Sequence, residues 1–256
     1  MLQLTVRVIE NVPLAERTWR IRLDAEPIAR CIRPGQFLML KVPGTTDPLL
    51  GRPFALYDIV GDAIDIVYLV VGKMTTLLAS LRQGGILEVW GPLGNGFPDF
   101  GNREHVTLIA GGIGQTPFLA YARALLKAGT KRVALYYGIR TANLAAGVSD
   151  FEEAGVAVTL ASDDGTLGEK GFVTDLVNRD RPSGPWIACG PEPMLHAVRR
   201  LASEQSVECF VSLETPMACG FGICFSCVTR VKTADGSDYK RTCIDGPVFN
   251  SLELLD

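Results

Sequence analysis

Four of the seven cysteines of this chain lie within its last 38 residues, in the spacing C-x4-C-x2-C-x15-C. The first three match the spacing that plant-type [2Fe-2S] proteins use. Three thiolates on one loop can surround one end of a compact inorganic core, and Gly220 and Gly222 permit the tight backbone path. A fourth thiolate, returning after the turn-like stretch 235–239, closes the other end. The pattern predicts a metal site with the ligands Cys219, Cys224, Cys227 and Cys243.

Zinc is the alternative metal for such a cluster of cysteines. It also takes four thiolate ligands, but its loops usually carry two C-x2–4-C pairs. The spacing therefore favours iron and sulfide, and a structural zinc site stays open at this point. The remaining cysteines, Cys31, Cys189 and Cys209, are scattered along the chain, and isolated cysteines are usually small buried side chains.

The composition is that of a folded protein, because 47% of the 256 residues are hydrophobic and 21% are charged. A net charge of −3 leaves no basic excess for nucleic acid or an anionic membrane surface. The longest apolar runs are too short to span a bilayer, and the N-terminus alternates like a strand and lacks the pattern of a signal peptide. We therefore expect a cytoplasmic protein that binds neither nucleic acid nor membrane.

The sequence pattern changes along the chain and indicates separate domains. Residues 1–97 contain short stretches rich in β-branched and aromatic residues between Gly, Pro and Asp, which predicts an antiparallel β-barrel. Residues 98–209 alternate strand-like and helix-like stretches, which predicts a doubly wound parallel sheet that binds a nucleotide. Residues 210–256 are too few for a core of their own, which predicts a small C-terminal iron–sulfur domain. The expected fold class is multidomain, β followed by α/β.

Glycine-rich turns follow two of the predicted parallel strands. The stretch IAGGIGQTP places Gly111, Gly112 and Gly114 between a strand and a helix, and CGPEPM (189–194) ends a later strand. Ligands of open α/β sheets bind at the carboxyl ends of the strands, so the two turns together indicate a nucleotide site. The first turn lacks the G-x-G-x-x-G pattern, and alone it is explained equally well by a plain tight turn.

The barrel carries one candidate phosphate contact, Arg52 in the stretch GRPFALYDI (51–59). A surface arginine beside a proline turn explains that stretch better when it is taken alone. A nicotinamide cofactor transfers two electrons as hydride, whereas a [2Fe-2S] cluster accepts one at a time. A chain that binds both a nicotinamide cofactor and a [2Fe-2S] cluster needs a flavin, which converts between two-electron and one-electron transfer. The barrel is the domain left to bind that flavin.

The motifs together are those of a known family, and they extend over essentially the whole chain. They are PGQFLML, GRPFALYDI, VGKMTTLL, GPLGNGF, AGGIGQTP, YYGIRT, DDGTLGEKGFVTD, CGPEPM, MACGFGICFSC and RTCIDGPVF. In this order the chain resembles the ferredoxin–NADP reductase superfamily, and within it the electron-transfer subunits of class 1B dihydroorotate dehydrogenase. The cysteine-rich string with its distant CIDGPVF is the specific part of the resemblance, whereas GGIGQTP and CGPEPM are shared across the superfamily.

The resemblance implies three cofactors, which are FAD, a [2Fe-2S] cluster held by the four cysteines, and NAD rather than NADP. The implied FAD contacts are Arg52, Pro53, Phe54, Ala55, Tyr68, Leu69, Val70, Met74, Thr75 and Thr76. The implied NAD contacts are Gly111, Gly112, Gly114, Gln115, Thr116, Pro117, Cys189, Gly190, Pro191 and Glu192. Two positions depart from the family pattern and bear on flavin affinity, since Ala55 stands where serine is usual and Met74 where glycine is usual.

The resemblance also implies a partner, a catalytic subunit with FMN that oxidises dihydroorotate in pyrimidine biosynthesis, in a heterotetramer with two copies of each chain. Electrons would pass from that FMN through the cluster and FAD to NAD⁺. Two other functions stay open: a stand-alone NADH-dependent reductase that serves an oxygenase or another acceptor, and a non-enzymatic zinc protein with a nucleotide-binding sheet. No catalytic residue is predicted, because His105 and His196 lie in no acid–base constellation.

Two surface features are left as expectations. The region around Phe221, Ile223 and Phe225 is expected to be apolar and exposed in the isolated chain, because a partner's flavin has to approach the cluster. The alternative is that these side chains pack on the barrel. Asp163 and Asp164, near a strand end, would face a ribose or lie in a solvated turn.

Overall fold

The computed structural model describes residues 1–255. Its N-terminal part is a seven-stranded antiparallel half-barrel in the spatial order β4-β3-β7-β1-β2-β6-β5. The strands are β1 (Leu2–Ala15), β2 (Thr18–Asp24), β3 (Phe37–Lys41), β4 (Arg52–Ala55), β5 (Asp58–Val60), β6 (Ala63–Leu69) and β7 (Ile86–Leu93). Two helices, α1 (Glu26–Ala29) and α2 (Lys73–Ser80), lie between them in the chain. The predicted antiparallel barrel is confirmed.

Strand β7 shows why these residues form strands. Leu87 and Val89 are buried, whereas Glu88 and Trp90 are half-buried, so the side chains alternate along the strand. Successive side chains of a strand point to opposite faces of the sheet, and this alternation places Leu87 and Val89 in the barrel core. The strand pairs with β1 on one side and β3 on the other, which fixes its position.

The second sheet is formed by β8 to β13, which are parallel, and by β16, which is antiparallel at one edge. Its spatial order is β11-β10-β9-β8-β12-β13-β16. The strands are β8 (His105–Gly111), β9 (Arg132–Ile139), β10 (Ala157–Ser162), β11 (Glu169–Lys170), β12 (Trp186–Cys189), β13 (Cys209–Ser212) and β16 (Val248–Asn250). The helices are α3 (Phe118–Lys127), α4 (Val148–Glu153), α5 (Val173–Asp180) and α6 (Glu192–Glu204). Short 3-10 helices occupy Gly112–Gln115 and Ala142–Leu144.

Helices cover both faces of this sheet. Val106 and Leu108 of β8 pack in one core with residues of α3 and α4, whereas Ile109 packs in a second core with residues of α5 and α6. Parallel strands covered on both faces form the doubly wound arrangement that the alternating pattern predicts, and that prediction is confirmed. Within residues 1–255 no helix has the length and the apolar character that crossing a membrane requires.

The C-terminal part consists of a loop, a hairpin and an edge strand. Residues 214–227, here called the cluster loop, contain no helix or strand and carry three of the four clustered cysteines. The hairpin is formed by β14 (Val228–Thr233) and β15 (Gly236–Arg241). Strand β16 then adds to the parallel sheet beside β13, so the C-terminal part is joined to the nucleotide-binding sheet. The domain boundaries at 97/98 and 209/210 stay a prediction.

Asn95, in the turn after β7, joins the C-terminal part to the barrel. Its backbone N–H donates to the carbonyl of Gly246 at 2.7 Å. Its side-chain Nδ2 donates to the carbonyls of Asp245 at 3.0 Å and Val248 at 2.7 Å, and its Oδ1 accepts from the N–H of Val248 at 3.2 Å. The segment between Cys243 and β16 is thereby fixed to the barrel.

We expect Asn95→Ala to lower the free energy of unfolding by about 2 kcal/mol, because three partly solvated hydrogen bonds are lost at ~0.5–1.5 kcal/mol each. Urea unfolding followed by circular dichroism measures the change. Asn178→Ala, at an exposed position of α5, is the matched control and should change stability by less than about 0.5 kcal/mol. Equal stabilities of the two variants would contradict the role given to Asn95.

Candidate functional site

An open cleft of about 1220 Å³ lies where the barrel, the parallel sheet and the C-terminal part meet. It brings together most of the residues that the sequence predicts as cofactor contacts. From the barrel these are Arg52, Pro53, Phe54, Ala55, Tyr68, Leu69, Met74 and Thr75. From the parallel sheet they are Gly111, Gly112, Gly114, Thr116, Pro117, Cys189, Gly190 and Pro191. Four predicted contacts lie outside the lining of the cleft: Val70, Thr76, Gln115 and Glu192.

The two glycine-rich turns meet at the carboxyl ends of β8 and β12. A Cβ on Gly114 would lie 2.3 Å from the carbonyl oxygen of Cys189, so only glycine lets the turns approach this closely. Gly112 has a φ of +54° and open space where its Cβ would be. The backbone at Gly112 is therefore accessible to a bound molecule, as a nucleotide-binding turn requires.

Gln115 gives a test of whether the nucleotide half of the cleft fits a ligand. Its side chain is fully buried, and neither its amide nitrogen nor its amide oxygen has a hydrogen-bond partner within residues 1–255. Buried amides without partners are rare in folded proteins, and each such group points to a water molecule or ligand that completes it. Gln115 itself lies outside the lining of the cleft, between the lining residues Gly114 and Thr116, so the unused polar group adjoins the turn that borders the cleft.

Arg52 and Met74 show whether the flavin half of the cleft fits a ligand. The Arg52 Nη1 donates to the carbonyls of Leu50 and Gly51 at 3.0 and 3.1 Å. The remaining guanidinium N–H groups make no contact with residues 1–255 and suit the oxygens of a diphosphate. Met74 is only 3% exposed and packs in the barrel core, so its bulk does not fill the cleft. The sequence departure at Met74 is therefore compatible with a flavin.

The four clustered cysteines form two pairs. Cys227 Sγ lies 3.1 Å from Cys243 Sγ, and both side chains are buried. Cys219 is half-buried and lies within hydrogen-bonding reach of Cys224, which is exposed. We call Cys227 and Cys243 the inner pair, and Cys219 and Cys224 the outer pair. All four thiols are free of disulfide bonds.

The surroundings of the two pairs differ. A hydrogen bond with the Ser226 hydroxyl at 3.2 Å, followed by bonds to the backbone and to Cys219, lowers the pKa of Cys224 to about 6. Burial raises the pKa of Cys243 to about 12, so this thiol needs the positive charge of a metal to lose its proton. Positive φ angles at Gly220 and Gly222 (+81° and +86°) curl the loop around the outer pair.

This arrangement fits a two-metal core. Within residues 1–255 no three His, Cys, Asp or Glu side chains converge in a way that suits one metal ion. A single tetrahedral zinc requires four ligands around one point, whereas a two-iron core takes two thiolates at each end. The paired sulfurs therefore favour the iron–sulfur interpretation over a structural zinc site.

Comparison with known proteins gives the family. The family model described as the iron-sulfur cluster binding domain of dihydroorotate dehydrogenase B matches residues 214–255, and that of the oxidoreductase NAD-binding domain matches residues 108–200. A relative from Geobacillus sp. (strain WCH70), named dihydroorotate dehydrogenase B (NAD(+)), electron transfer subunit, is 37% identical over 100% of this chain and 99% of its own length. The chain belongs to this family of electron transfer subunits. A relative of the same name from Bacillus caldolyticus is 38% identical over 94% of each chain.

Solved structures agree with the fold of the family. A structure of an NADH-dependent reduced ferredoxin-NADP oxidoreductase superposes with a TM-score of 0.86 at 29% identity, covering 98% of this chain and 89% of that chain. Phthalate dioxygenase reductase superposes with a TM-score of 0.67 at 19% identity, covering 94% of each chain. The second likeness supports the fold alone.

Many residues of the cleft lining were not predicted from the sequence, and among them are Ser212, Glu214 and Arg17. Ser212, at the end of β13, and Glu214 line the cleft near Cys189. Burial, with a contribution from the Glu214 carboxylate, raises the pKa of Cys189 to about 12, so this thiol is neutral at physiological pH. Ser212 ends a strand beside β12. The rule that ligands bind at the carboxyl ends of parallel strands therefore predicts Ser212 as a cleft residue. Arg17, which donates to the carbonyl of Val70 at 2.6 Å, also lines the cleft and has no such signal.

The cleft and the cysteine site share a wall. Phe37 and Met217 both line the cleft and pack in the apolar cluster that contains the inner pair. Met39 and Leu93, from β3 and β7, complete that cluster. The inner pair and the cleft therefore have Phe37 and Met217 in common.

The cluster loop presents an apolar surface. Phe221, Ile223 and Phe225 are 39%, 74% and 63% exposed, which confirms that they do not pack on the barrel. Ile244, which is 43% exposed, lies beside them. A Cβ added at Gly222 would be 2.6 Å from the Cγ1 atom of Ile244. We call these four residues the apolar rim; contiguous exposed apolar side chains of this kind mark interaction sites.

We expect Gly114→Ala to weaken NADH binding by more than about tenfold, because the added methyl group collides with backbone at Cys189 and Gly190 and spreads the two turns. Quenching of intrinsic fluorescence by NADH measures the affinity. Gly155→Ala is the control: its φ is +84°, and its nearest neighbour would be 3.9 Å from the new Cβ. That variant should be less stable with unchanged NADH affinity, and equal losses of affinity would contradict the assignment.

Proposed function

We propose that this chain is the electron-transfer subunit of an NAD-dependent dihydroorotate dehydrogenase, with FAD, NAD and a [2Fe-2S] cluster as its cofactors. The observation that carries the proposal is the shared wall between cleft and cysteine site, formed by Phe37 and Met217. Cofactors that exchange electrons have to lie close together, and two side chains shared by the cleft and the cysteine site support that proximity.

The residues of the chain divide the work of positioning. When bound, FAD exchanges hydride with NAD and single electrons with the iron–sulfur cluster. Arg52 supplies N–H donors for a diphosphate on the barrel side. The backbone at Gly112 and the strand ends near Ser212 form the nicotinamide side. The neutral thiol of Cys189 places no charge beside the ring that receives hydride.

The cluster ligands in this proposal are the outer and inner pairs. The inner pair supports a buried end that faces the barrel, and the outer pair supports an end that faces solvent and the apolar rim. In this proposal residues 1–97 bind FAD, residues 98–209 bind NAD and residues 210–256 bind the cluster.

The oxidation of dihydroorotate itself is assigned to a catalytic FMN subunit. Neither His105 nor His196 lines the cleft, and the carboxylates that line it within residues 1–255 are those of Asp47, Asp163 and Glu214. We propose that the catalytic subunit covers the apolar rim, in an assembly with two copies of each chain. A stand-alone reductase is the alternative, and it predicts no stable complex with such a subunit.

The first experiment is the visible spectrum of the purified chain, with counts of iron, sulfide, zinc and flavin. The proposal predicts two iron atoms, two sulfides and one FAD per chain. Zinc without iron would contradict it and support the structural zinc site.

We expect Cys243→Ser to abolish the cluster while FAD stays bound, because a buried serine hydroxyl does not replace a thiolate ligand. Iron and flavin counts measure the two cofactors, and NADH-to-ferricyanide activity shows that the flavin site still works. The control is Cys31→Ser, an exposed cysteine in the barrel, which should keep both cofactors. Retention of the cluster in Cys243→Ser would exclude Cys243 as a ligand.

We expect Phe225→Asp to weaken association with the catalytic subunit by at least tenfold, because a carboxylate is placed in an apolar contact. Analytical ultracentrifugation of the two chains measures association. Ile9→Asp, at a barrel position that is 40% exposed, carries the same change of charge away from the apolar rim. Unchanged association for Phe225→Asp would remove the rim as the docking site.

A further inference from the structure

The cluster loop has almost no backbone structure of its own. Within residues 1–255, no backbone group between Glu214 and Ser226 forms a hydrogen bond with another backbone group. The Ser226 hydroxyl accepts from the N–H of Ala218 at 3.2 Å, which is a contact inside the loop. A loop of this kind has little resistance to opening, so its position depends on the side chains that reach it from outside.

Besides Cys243, which accepts a hydrogen bond from the backbone of Gly222, two side chains from outside the loop form hydrogen bonds with it. Arg241 donates from Nη1 to the carbonyl of Gly222 at 3.1 Å, and its guanidinium lies 5.1 Å from the ring centre of Phe225. Arg241 ends the hairpin that follows the loop, so it moves with the C-terminal part. Trp90 donates from Nε1 to the carbonyl of Cys219 at 3.0 Å. Among residues 1–255 this is the hydrogen bond that joins the loop to the barrel.

Trp90 is held rigidly at its own end. Its strand β7 pairs with β1 and β3, where Gln3 and Met39 lie opposite Trp90. The indole lies directly over Gly51, because a Cβ at Gly51 would be 2.4 Å from its Cη2 atom. Gly51 immediately precedes Arg52, which lines the cleft. The indole therefore packs on the residue next to the predicted flavin contact.

The loop is separable from the rest of the C-terminal part. Asn95 holds the segment 245–248 on the barrel through its own hydrogen bonds. Loss of the Trp90 contact therefore removes the hydrogen bond between the loop and the barrel at Cys219 without releasing the tail, while Met217 and Cys227 still pack against the barrel. Its acceptor is the carbonyl of Cys219, a member of the outer pair, so the contact bears directly on one proposed ligand.

We propose that Trp90 is a positioning residue that fixes the outer pair relative to the flavin barrel, through its hydrogen bond to the carbonyl of Cys219. The inference rests on the proposed function in requiring a cluster at the four cysteines. It gives the barrel a role in retaining that cluster. The cysteine motif alone does not predict such a role.

The test compares Trp90→Phe with wild type as full-length chains with their cofactors bound. The substitution keeps an aromatic ring and removes the N–H donor. We expect cluster bleaching by an iron chelator to be about fivefold faster, because one hydrogen bond of ordinary strength no longer opposes opening of the loop. The electron paramagnetic resonance spectrum of the reduced cluster should change, while FAD content and NADH-to-ferricyanide activity stay as in wild type.

Trp19→Phe is the matched control. Trp19 is half-buried in strand β2 of the same sheet, which β1 separates from β7, and its indole makes no hydrogen bond within residues 1–255, so the same truncation removes no contact with the loop. This variant should bleach at the wild-type rate with the wild-type resonance spectrum. Equal rates and spectra for Trp90→Phe and Trp19→Phe would overturn the inference, and a folded Trp90→Phe chain that retains FAD but no cluster would support it.

A second variant acts on Trp90 without changing it. Gly51→Ala places a methyl group 2.4 Å from Cη2 of the indole and 2.9 Å from the carbonyl oxygen of Leu40, so the indole has to move, and bleaching should accelerate in chains that retain FAD. If Trp90→Phe does not fold, this variant decides: faster bleaching supports the inference and wild-type bleaching overturns it. A wild-type chain without iron would overturn the proposed function and the inference together, whereas unchanged bleaching in an iron-containing chain overturns the inference alone.

Discussion

The packing of the inner cysteine pair against the barrel is the contact on which the rest of the arrangement depends. Cys227 and Cys243 are buried among Phe37, Met39 and Leu93 of strands β3 and β7. Burial of these apolar side chains contributes ~1.5–3 kcal/mol each, and it commits the C-terminal part to β7 and to β3, whose Phe37 also borders the cleft. The separation of the cluster site and the flavin site is therefore fixed by core packing, which has little freedom to vary.

The cysteine site has two unlike ends as a consequence. The inner pair is enclosed, and burial raises the pKa of Cys243 to about 12. The outer pair is accessible, and hydrogen bonds favour the thiolate of Cys224. One end thus faces the barrel and the other faces the apolar rim, so a centre held there is open to a partner on one side and to the flavin cleft on the other.

The nucleotide half of the cleft is built by a different constraint, the close approach of two strand-to-helix turns. Gly114 permits contact with the backbone at Cys189, and Gly112 leaves its backbone accessible. These turns lie at the carboxyl ends of parallel strands, where neighbouring strands all end at one edge. The same geometry brings Ser212 and Glu214 from a later strand into the cleft.

Much of this protein follows from its sequence, because local patterns carry the information. The spacing of four cysteines predicts a metal site, period-two alternation predicts the barrel strands, and the glycines of residues 111–114 predict a nucleotide turn. Contacts between distant segments carry no such local signal. The addition of β16 to the parallel sheet, the pairing of Cys227 with Cys243, and the reach of Trp90 to Cys219 join residues that are far apart in the chain. Only the packing of the barrel, the sheet and the tail against one another decides those contacts, since each depends on surfaces that exist once all three have folded.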